Sequence, residues 1–230
     1  MSRPENSVLA GLPRKAYVAM LPDLAPVTLA FGDVLYEPGA RIPEVYFPGR
    51  SVVSVLTVVD DREALEVGLV GREGMVGIPL ALGIHTSPVR ALVQGAGSAL
   101  QMSARRFRKA FGASPLLEHR LHRYAHELMA QITQTTACNR FHTVDARLAR
   151  WLLMTRDRIR SGEFRLTQEF LAHMLGVRRV GVNEAARKLH DAGLVNYHRG
   201  HIVVLDRKRL EERVCECYAV VRNEYDRLLR

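Results

Sequence analysis

Apolar and polar positions follow two different patterns along this chain, and the change between them marks its organisation. From residue 29 to about residue 102, short β-rich runs such as Val45-Tyr46-Phe47 alternate with turn signals such as Pro48-Gly49. Many short strands at near-regular spacing are typical of an antiparallel barrel or jelly roll. Beyond residue 102 the apolar residues recur at helical spacing. The pattern therefore predicts an α+β protein, with a β-barrel or jelly roll followed by helices.

A long helix is predicted to begin at Ser114-Pro115, because serine is a good N-cap and proline suits the first helical position. Its apolar residues form one seam at alternating spacings of four and three: Leu117, Leu121, Tyr124 and Leu128. Such a seam on a connecting helix predicts a two-helix dimer interface, since it would otherwise be exposed. The alternative is that the seam packs against the protein's own β-domain.

The stretch from residue 167 to residue 205 has the pattern of a winged helix-turn-helix. A first helix over 167–175 ends at Gly176, which can adopt the left-handed conformation of a helix C-terminus. A second, basic helix is predicted from Arg178 to about His190, and two strands around Arg199-Gly200 form the wing. The second helix of such a motif enters the major groove of DNA. The pattern therefore predicts a DNA-binding domain.

Composition and charge agree with this interpretation. A chain of 230 residues suits two domains, and a hydrophobic content of 47% is ample for packed cores. From Asn139 onward 19 Lys and Arg stand against 12 Asp and Glu, so this part carries +7 of the formal net charge of +9. A basic half beside a nearly neutral one is typical of a nucleic-acid module joined to a non-binding domain. Three cysteines and no long apolar run predict a cytoplasmic protein without a membrane segment.

A β-domain, a long helix and a C-terminal winged helix-turn-helix together resemble the Crp/Fnr superfamily of bacterial transcription regulators. The motifs that carry the resemblance are Leu166-Thr167-Gln168-Glu169-x-Leu171-Ala172, Leu175-Gly176-Val177-x-Arg179, Leu189-x-Asp191-x-Gly193-Leu194-Val195 and Gly32-Asp33-x-Leu35-Tyr36-x-x-Gly39. The resemblance implies a cyclic-nucleotide-binding-like sensor over residues 1–112, a dimerisation helix and hinge over 113–140, and a DNA-binding domain over 141–230.

The resemblance also implies which residues contact DNA. Arg179 occupies the family's base-reading arginine position, and Val180 replaces its usual acidic reader. The residues expected to read bases are Arg178, Arg179, Val180, Asn183 and Glu184. The residues expected to hold backbone phosphates are Thr167, Gln168, Arg187, Lys188, His198 and Arg199.

The sensor departs from the pattern of the family's cyclic-nucleotide binders. These carry a Gly-Glu pair for the ribose and a later Arg-Ser or Arg-Thr pair for the cyclic phosphate. Here Ile78 follows Gly77 where the Glu is expected, and His85-Thr86 replaces the later pair. A buried phosphate without a cationic partner is costly, so cyclic AMP binding is not expected. The candidate effector-pocket residues are Gly77, Ile78, Thr86 and Arg90, and no effector is identified.

The sequence predicts neither a metal site nor a cofactor. No cysteine precedes Cys138, which excludes the N-terminal iron–sulfur cluster of the superfamily's oxygen-sensing branch. If one helix continues through Cys215 and Cys217, their side chains point about 200° apart and do not chelate. Cys138 is expected to be a buried thiol, with a redox or ligand role as the alternative.

Two other classes of function remain open. A ligand-sensing module that acts only through protein partners leaves the basic second helix unexplained. A cupin-like metalloenzyme needs several histidines on its barrel strands, whereas His85 is the only histidine in the first 118 residues. The sequence favours a non-enzymatic homodimer that binds double-stranded DNA at a palindromic operator, and the resemblance implies RNA polymerase as a further partner.

Overall fold

The computed structural model describes residues 3–60, 63–159, 162–198 and 200–229. The N-terminal part contains α1 (Ser7–Ala10), α2 (Arg14–Met20), β1 (Ala25–Leu29), β2 (Val34–Tyr36), β3 (Glu44–Pro48), β4 (Val52–Asp60), β5 (Glu63–Val70), β6 (Arg90–Gly95) and β7 (Gly97–Ser103). The remainder contains α3 (Ala104–Ala113), α4 (Pro115–Phe141), α5 (Val144–Ile159), β8 (Glu163–Arg165), α6 (Gln168–Leu175), α7 (Arg179–Asp191), β9 (Val195–His198), β10 (His201–Val204), α8 (Arg207–Arg213) and α9 (Cys217–Leu229).

The N-terminal strands form two antiparallel sheets. Their strand orders are β1-β7-β3 and β2-β6-β4-β5. Buried side chains of both sheets, such as Phe47 and Val93, belong to one core. The predicted α+β architecture with a β-rich N-terminal domain is thus confirmed, although the two sheets do not close into a barrel.

Helix α4 begins where the sequence predicts. The Ser114 side chain accepts a hydrogen bond from the Leu117 backbone N–H at 3.3 Å, and Pro115 occupies the first helical position. This cap satisfies one of the backbone donors that a helix start leaves free.

The apolar seam of α4 is covered by the chain's own β-domain. Leu117, Leu121 and Tyr124 are fully buried and Leu128 is 7% exposed. All four join the core of the two sheets. The expectation that they form a dimer interface is therefore corrected, because buried side chains cannot contact a second copy. The alternative stated from the sequence, packing on the β-domain, is the one observed.

Helix α4 makes close contacts with the β-domain. The Tyr124 ring lies against the Gly74 backbone so closely that a Cβ at Gly74 would be 2.0 Å from the ring. The Gln131 amide exchanges two hydrogen bonds with the backbone of Leu69, at 2.7 and 3.2 Å. Strand β5 lies at the edge of its sheet, so Gln131 satisfies edge groups that strand pairing leaves free. Gln131, which continues the four-three spacing of the seam, is thus part of the packing.

The C-terminal helical domain docks on the outer side of the four-stranded sheet. Val52, Leu56 and Leu69 of β4 and β5 share a core with α5, α6 and α7. Trp151 of α5 donates to the Glu66 carboxylate of β5 at 2.8 Å. The two domains therefore share a buried surface with both apolar and polar contacts.

The C-terminal helix differs from the sequence expectation. No single helix continues through Cys215 and Cys217, because α8 ends at Arg213 and α9 begins at Cys217. Helix α9 packs along α4, where the Gln134 amide donates to the Cys217 sulfur at 3.1 Å. Among the described helices, none is long and apolar enough to cross a membrane.

Candidate nucleic-acid interface

Helices α6 and α7 form the predicted helix-turn-helix. Thr167 caps α6 by accepting a hydrogen bond from the Phe170 N–H at 3.1 Å. Gly176 ends α6 with φ +59°, the left-handed conformation that glycine adopts most easily. Arg178 is the N-cap of α7 without a side-chain bond to its backbone, so its guanidinium is not used by the cap. The turn between the helices is therefore the one expected from the sequence.

One face of α7 is buried and the opposite face is exposed. The buried face consists of Val182, Ala185, Ala186 and Leu189. The five residues expected to read bases, Arg178, Arg179, Val180, Asn183 and Glu184, are all exposed. Val180 is 61% exposed, so its side chain is free to contact a partner. The structure thus brings these residues to one surface, and their contacts with DNA stay a prediction.

Of the residues expected to hold phosphates, Thr167, Arg187, Lys188 and His198 are exposed and Gln168 is half-buried. Thr167 already caps α6, so its hydroxyl is occupied by the backbone. The Lys188 ammonium lies 3.7 Å from the Asp145 carboxylate of α5, a long, exposed pair that leaves it able to turn to a phosphate. Arg199 lies outside the described residues.

The hairpin that follows α7 is part of a wing of three strands. The predicted hairpin of β9 and β10 is present, and β8 adds a third strand on the other side of β10. Strand β8 is not predicted from the sequence, because three residues are too few to show alternation. A shallow groove lined by Gln168, Val180, Glu184 and Tyr197 runs between α7 and the wing. Burial raises the pKa of Tyr197 above its ordinary value, so its hydroxyl stays protonated at neutral pH.

Comparison with known proteins gives the class of this domain. Residues 146–213 match the Crp-like helix-turn-helix domain family. No curated protein matches the sequence significantly. The exposed basic helix and its wing therefore belong to a Crp-like helix-turn-helix domain, as the motifs indicated.

Solved structures extend the likeness to most of the chain. FixK2 from Bradyrhizobium japonicum is 16% identical with a TM-score of 0.70, over 84% of this chain and 98% of that one. The c-di-GMP responsive regulator CLP from Xanthomonas campestris is 18% identical with a TM-score of 0.68, over 84% and 100%. TTHA1359, a CRP/FNR family regulator from Thermus thermophilus, is 21% identical with a TM-score of 0.67, over 82% and 97%. The chain thus has the fold of Crp/Fnr-type transcription regulators, which confirms the resemblance found in the sequence.

The candidate effector residues do not converge on a free cation. Arg90 forms an ion pair with Glu37 at 2.8 Å on the surface of β6. Thr86 is exposed, and its backbone pairs with that of Arg41. Gly77 has φ +97° and lies so close to Tyr36 that a Cβ would be 3.0 Å from the tyrosine oxygen. An effector site at these residues stays a prediction.

A cavity of about 310 Å³ lies where the N-terminal β-domain, α5 and α9 meet. Arg158 pairs with Glu73 at 2.7 Å on its wall. Beside them Glu127 of α4 is 1% exposed, and neither of its carboxylate oxygens has a hydrogen-bond partner within the described part of the chain. Burial raises the pKa of Glu127 to about 7, although the Arg158 charge opposes this. Glu127 could not be identified from the sequence, because a single acidic residue beside the apolar seam of α4 forms no pattern of its own.

The three cysteines and His142 form a group that the sequence did not predict. Because α8 and α9 are separate, Cys215 lies in the turn between them and Cys217 starts α9, so the prediction that they face apart is wrong. The ligand atoms of Cys138, His142, Cys215 and Cys217 all lie within 4.8 Å of one another. The available signals were the Cys-x-x-x-His and Cys-x-Cys spacings at residues 138–142 and 215–217.

Proposed function

We propose that this protein is a homodimeric, sequence-specific DNA-binding transcription regulator and not an enzyme. The observation that carries the proposal is the exposed face of α7, which presents Arg179, Val180 and Glu184 within a Crp-like helix-turn-helix domain. We propose residues 1–112 as the sensor, 113–140 as the dimerisation helix and hinge, and 141–230 as the DNA-binding domain. RNA polymerase as a partner and a cytoplasmic location follow from the resemblance to the family.

The dimer that we propose uses a different face of α4 from the buried seam. Seven exposed residues recur at spacings of three and four along this face: His119, His122, His126, Met129, Thr133, Thr136 and Arg140. This spacing keeps one stripe facing a parallel neighbour helix. Met129, 58% exposed, is an apolar residue at its centre. A dimer of this kind supports a palindromic operator whose half-site centres lie about one helical turn apart.

The sensor that we propose does not bind cyclic AMP. Ile78 supplies no carboxylate for a ribose, and the Arg90 guanidinium is engaged by Glu37. We expect no heat of binding when cyclic AMP is titrated into the protein. Micromolar affinity that is lost in Arg90→Ala would contradict this part of the proposal.

The decisive experiment is selection of bound sequences from random double-stranded DNA by the full chain. We expect enrichment of an imperfect palindrome. The matched control is a variant with Arg179 and Asn183 both changed to Ala, which leaves the buried face of α7 intact. Failure of the wild-type chain to enrich any sequence, while circular dichroism shows it folded, would refute DNA recognition and favour a module that acts through protein partners.

A further inference from the structure

The end of α4 and the α8–α9 turn bring together every cysteine of the chain. Cys138 lies in the last turn of α4, and His142 caps the helix with its backbone N–H bonded to the Cys138 carbonyl. Cys215 and Cys217 approach from the turn that separates α8 from α9. All three thiols are buried, and none is in a disulfide. Four soft ligand groups from two distant segments thus share one buried point.

The distances suit a single tetrahedral metal ion. The Cys138 and Cys215 sulfurs are 3.5 Å apart, and the Cys217 sulfur is 3.5 Å from His142 Nδ1. Zinc–sulfur bonds of about 2.3 Å and zinc–nitrogen bonds of about 2.0 Å at tetrahedral angles require ligand separations of roughly 3.5–3.8 Å. Three cysteines and one histidine are a ligand set of structural zinc sites. Small adjustments of the side chains would therefore complete the coordination.

The surroundings also match a metal site. His142 Nε2 lies 3.2 Å from the Glu216 carboxylate. The other ring nitrogen, Nδ1, faces the sulfurs and is the one available to bind a metal ion. A carboxylate on the outer nitrogen is the usual partner of a metal-binding histidine, because it fixes the tautomer and the ring orientation. Gln134 donates to the Cys217 sulfur at 3.1 Å. Ala146 and Val214 pack around the thiols and exclude solvent.

Charge provides an independent argument. Arg147 and Arg150 of α5 are 6% and 5% exposed, and within the described residues neither has a carboxylate at ion-pair distance. Both lie close enough to Cys138 for their charges to interact. The Arg150 charge also acts on the buried Glu66 carboxylate, where it opposes the rise in pKa that burial causes. Positive charge beside a cysteine favours its thiolate, the form that binds a metal. A divalent ion with three thiolates carries a net charge of about −1 by ligand count, which would offset part of the charge of the two arginines.

We propose that Cys138, His142, Cys215 and Cys217 bind one divalent metal ion of the zinc class. The ion would join the last turn of α4 to the α8–α9 turn, and binding would release to solvent the protons that the thiols carry in the metal-free chain. Because the two segments flank the helix-turn-helix domain, the ion would fix the base of that domain.

The test uses the full chain, purified with a thiol reductant and freed of metal by a chelator. We expect uptake of about one Zn²⁺ or Co²⁺ per chain. The cobalt form should show thiolate-to-cobalt charge-transfer absorption and intense tetrahedral d–d bands. Cys138→Ser, Cys215→Ser and His142→Ala should each lose these bands, whereas His173→Ala, at an exposed histidine of α6, should keep them. Glu216→Gln should weaken affinity by about 10- to 100-fold.

Three results would overturn the proposal. The first is a reduced wild-type chain that takes up no Co²⁺. The second is unchanged uptake in the ligand variants. The third is a Cys138–Cys215 disulfide that mass mapping finds in nearly all freshly purified chains. Should a variant fail to fold, the cobalt spectrum and stoichiometry of the wild-type chain decide the question alone. DNA binding is measured separately on the same preparations, so a failure of either proposal leaves the other open to its own test.

Discussion

Trp151 of α5 donates its indole N–H to the Glu66 carboxylate of β5 at 2.8 Å, and both side chains are buried. Ser54 donates to the other oxygen of the same carboxylate at 2.7 Å. The contact places an acidic group inside the surface through which the N-terminal β-domain and the helix-turn-helix domain meet. Its protonation is therefore linked to how the two domains hold together.

We expect the free energy of unfolding to fall as pH rises from about 4.5 to 7. Burial raises the pKa of Glu66 to about 7, against opposing hydrogen bonds from Ser54 and Trp151. Because this pKa is above that of unfolded glutamate, the folded chain holds the proton more tightly, and the stabilisation is complete only below about pH 4.5. A shift of this size corresponds to roughly 3 kcal/mol, and Glu127 acts in the same direction.

Denaturant unfolding at several pH values checks this expectation. Glu66→Gln can still accept from Trp151 and carries no charge, so its stability should depend less on pH than that of the wild type. Glu212→Gln, at an exposed position of α8, should behave as the wild type does. Equal pH slopes for Glu66→Gln and wild type would show that Glu66 does not titrate in this range.

Two arginines of α7 should have different effects on DNA binding. Arg179→Ala should relax the preference at one base position, because a guanidinium can bond guanine O6 and N7 together, an interaction that contributes about 1–3 kcal/mol of discrimination. Arg187→Ala should weaken binding to all sequences alike and reduce the salt slope by about 1. Site selection and salt titrations with both variants measure these effects. An unchanged site preference in Arg179→Ala would place base reading elsewhere on the surface.

A charge at Met129 should dissociate the dimer that we propose. Met129→Asp places a carboxylate at the centre of the exposed stripe of α4, where two copies would bury it without a partner. We expect a monomer by analytical ultracentrifugation, together with weaker binding to a palindromic site. Val220→Asp, at a 47% exposed apolar position of α9, is the matched control and should stay dimeric. A wild-type chain that is monomeric even on DNA would remove the dimer from the proposal.

Alanine substitutions at two glycines distinguish the cost of backbone strain from the cost of a steric clash between the domains. Gly176 and Gly193 have φ +59° and +69°, so alanine at either position costs about 1 kcal/mol in strain. A Cβ at Gly176 would also lie 2.6 Å from Leu65 Cδ1 of β5, whereas nothing lies within 4 Å of a Cβ at Gly193. Gly176→Ala should therefore be the more destabilising change in thermal unfolding.

The additional destabilisation caused by Gly176→Ala should disappear when Leu65 is also changed to alanine. In a Leu65→Ala background, Gly176→Ala and Gly193→Ala are expected to cost about the same. Hydrogen exchange of the α6 amides provides a second measurement, because the Phe170 ring of α6 also packs, tilted by 51°, on Phe31 of the N-terminal domain with ring centroids 5.3 Å apart. A difference that persists without the Leu65 side chain would show that docking on β5 is not its cause.

Local signals in the sequence predicted the elements of the DNA-binding domain well. Pro115, Thr167 and Gly176 act within a few residues of themselves, and each is found at the helix end that its chemistry favours. The exposed face of α7 followed from helical spacing alone. These features need no knowledge of what packs against them.

The sequence did not show which segment of the chain covers each buried helix face. The spacing of Leu117, Leu121 and Tyr124 shows that one side of α4 is buried, but an identical seam would suit a second copy or the chain's own sheet. The Cys138 group was missed for a related reason, since Cys215 is brought to it only by the break between α8 and α9. Periodicity identifies a buried face and does not say which distant segment covers it.

The sulfur atoms of Cys138 and Cys215 are 3.5 Å apart although 77 positions separate the residues along the chain. The chain therefore enters and leaves its helix-turn-helix domain at the same point. Domains whose ends lie together tolerate transplantation, because an exchange disturbs only one junction. A different DNA specificity could be installed by replacing this segment as a unit, provided that the incoming domain keeps the side of α5 that carries Trp151.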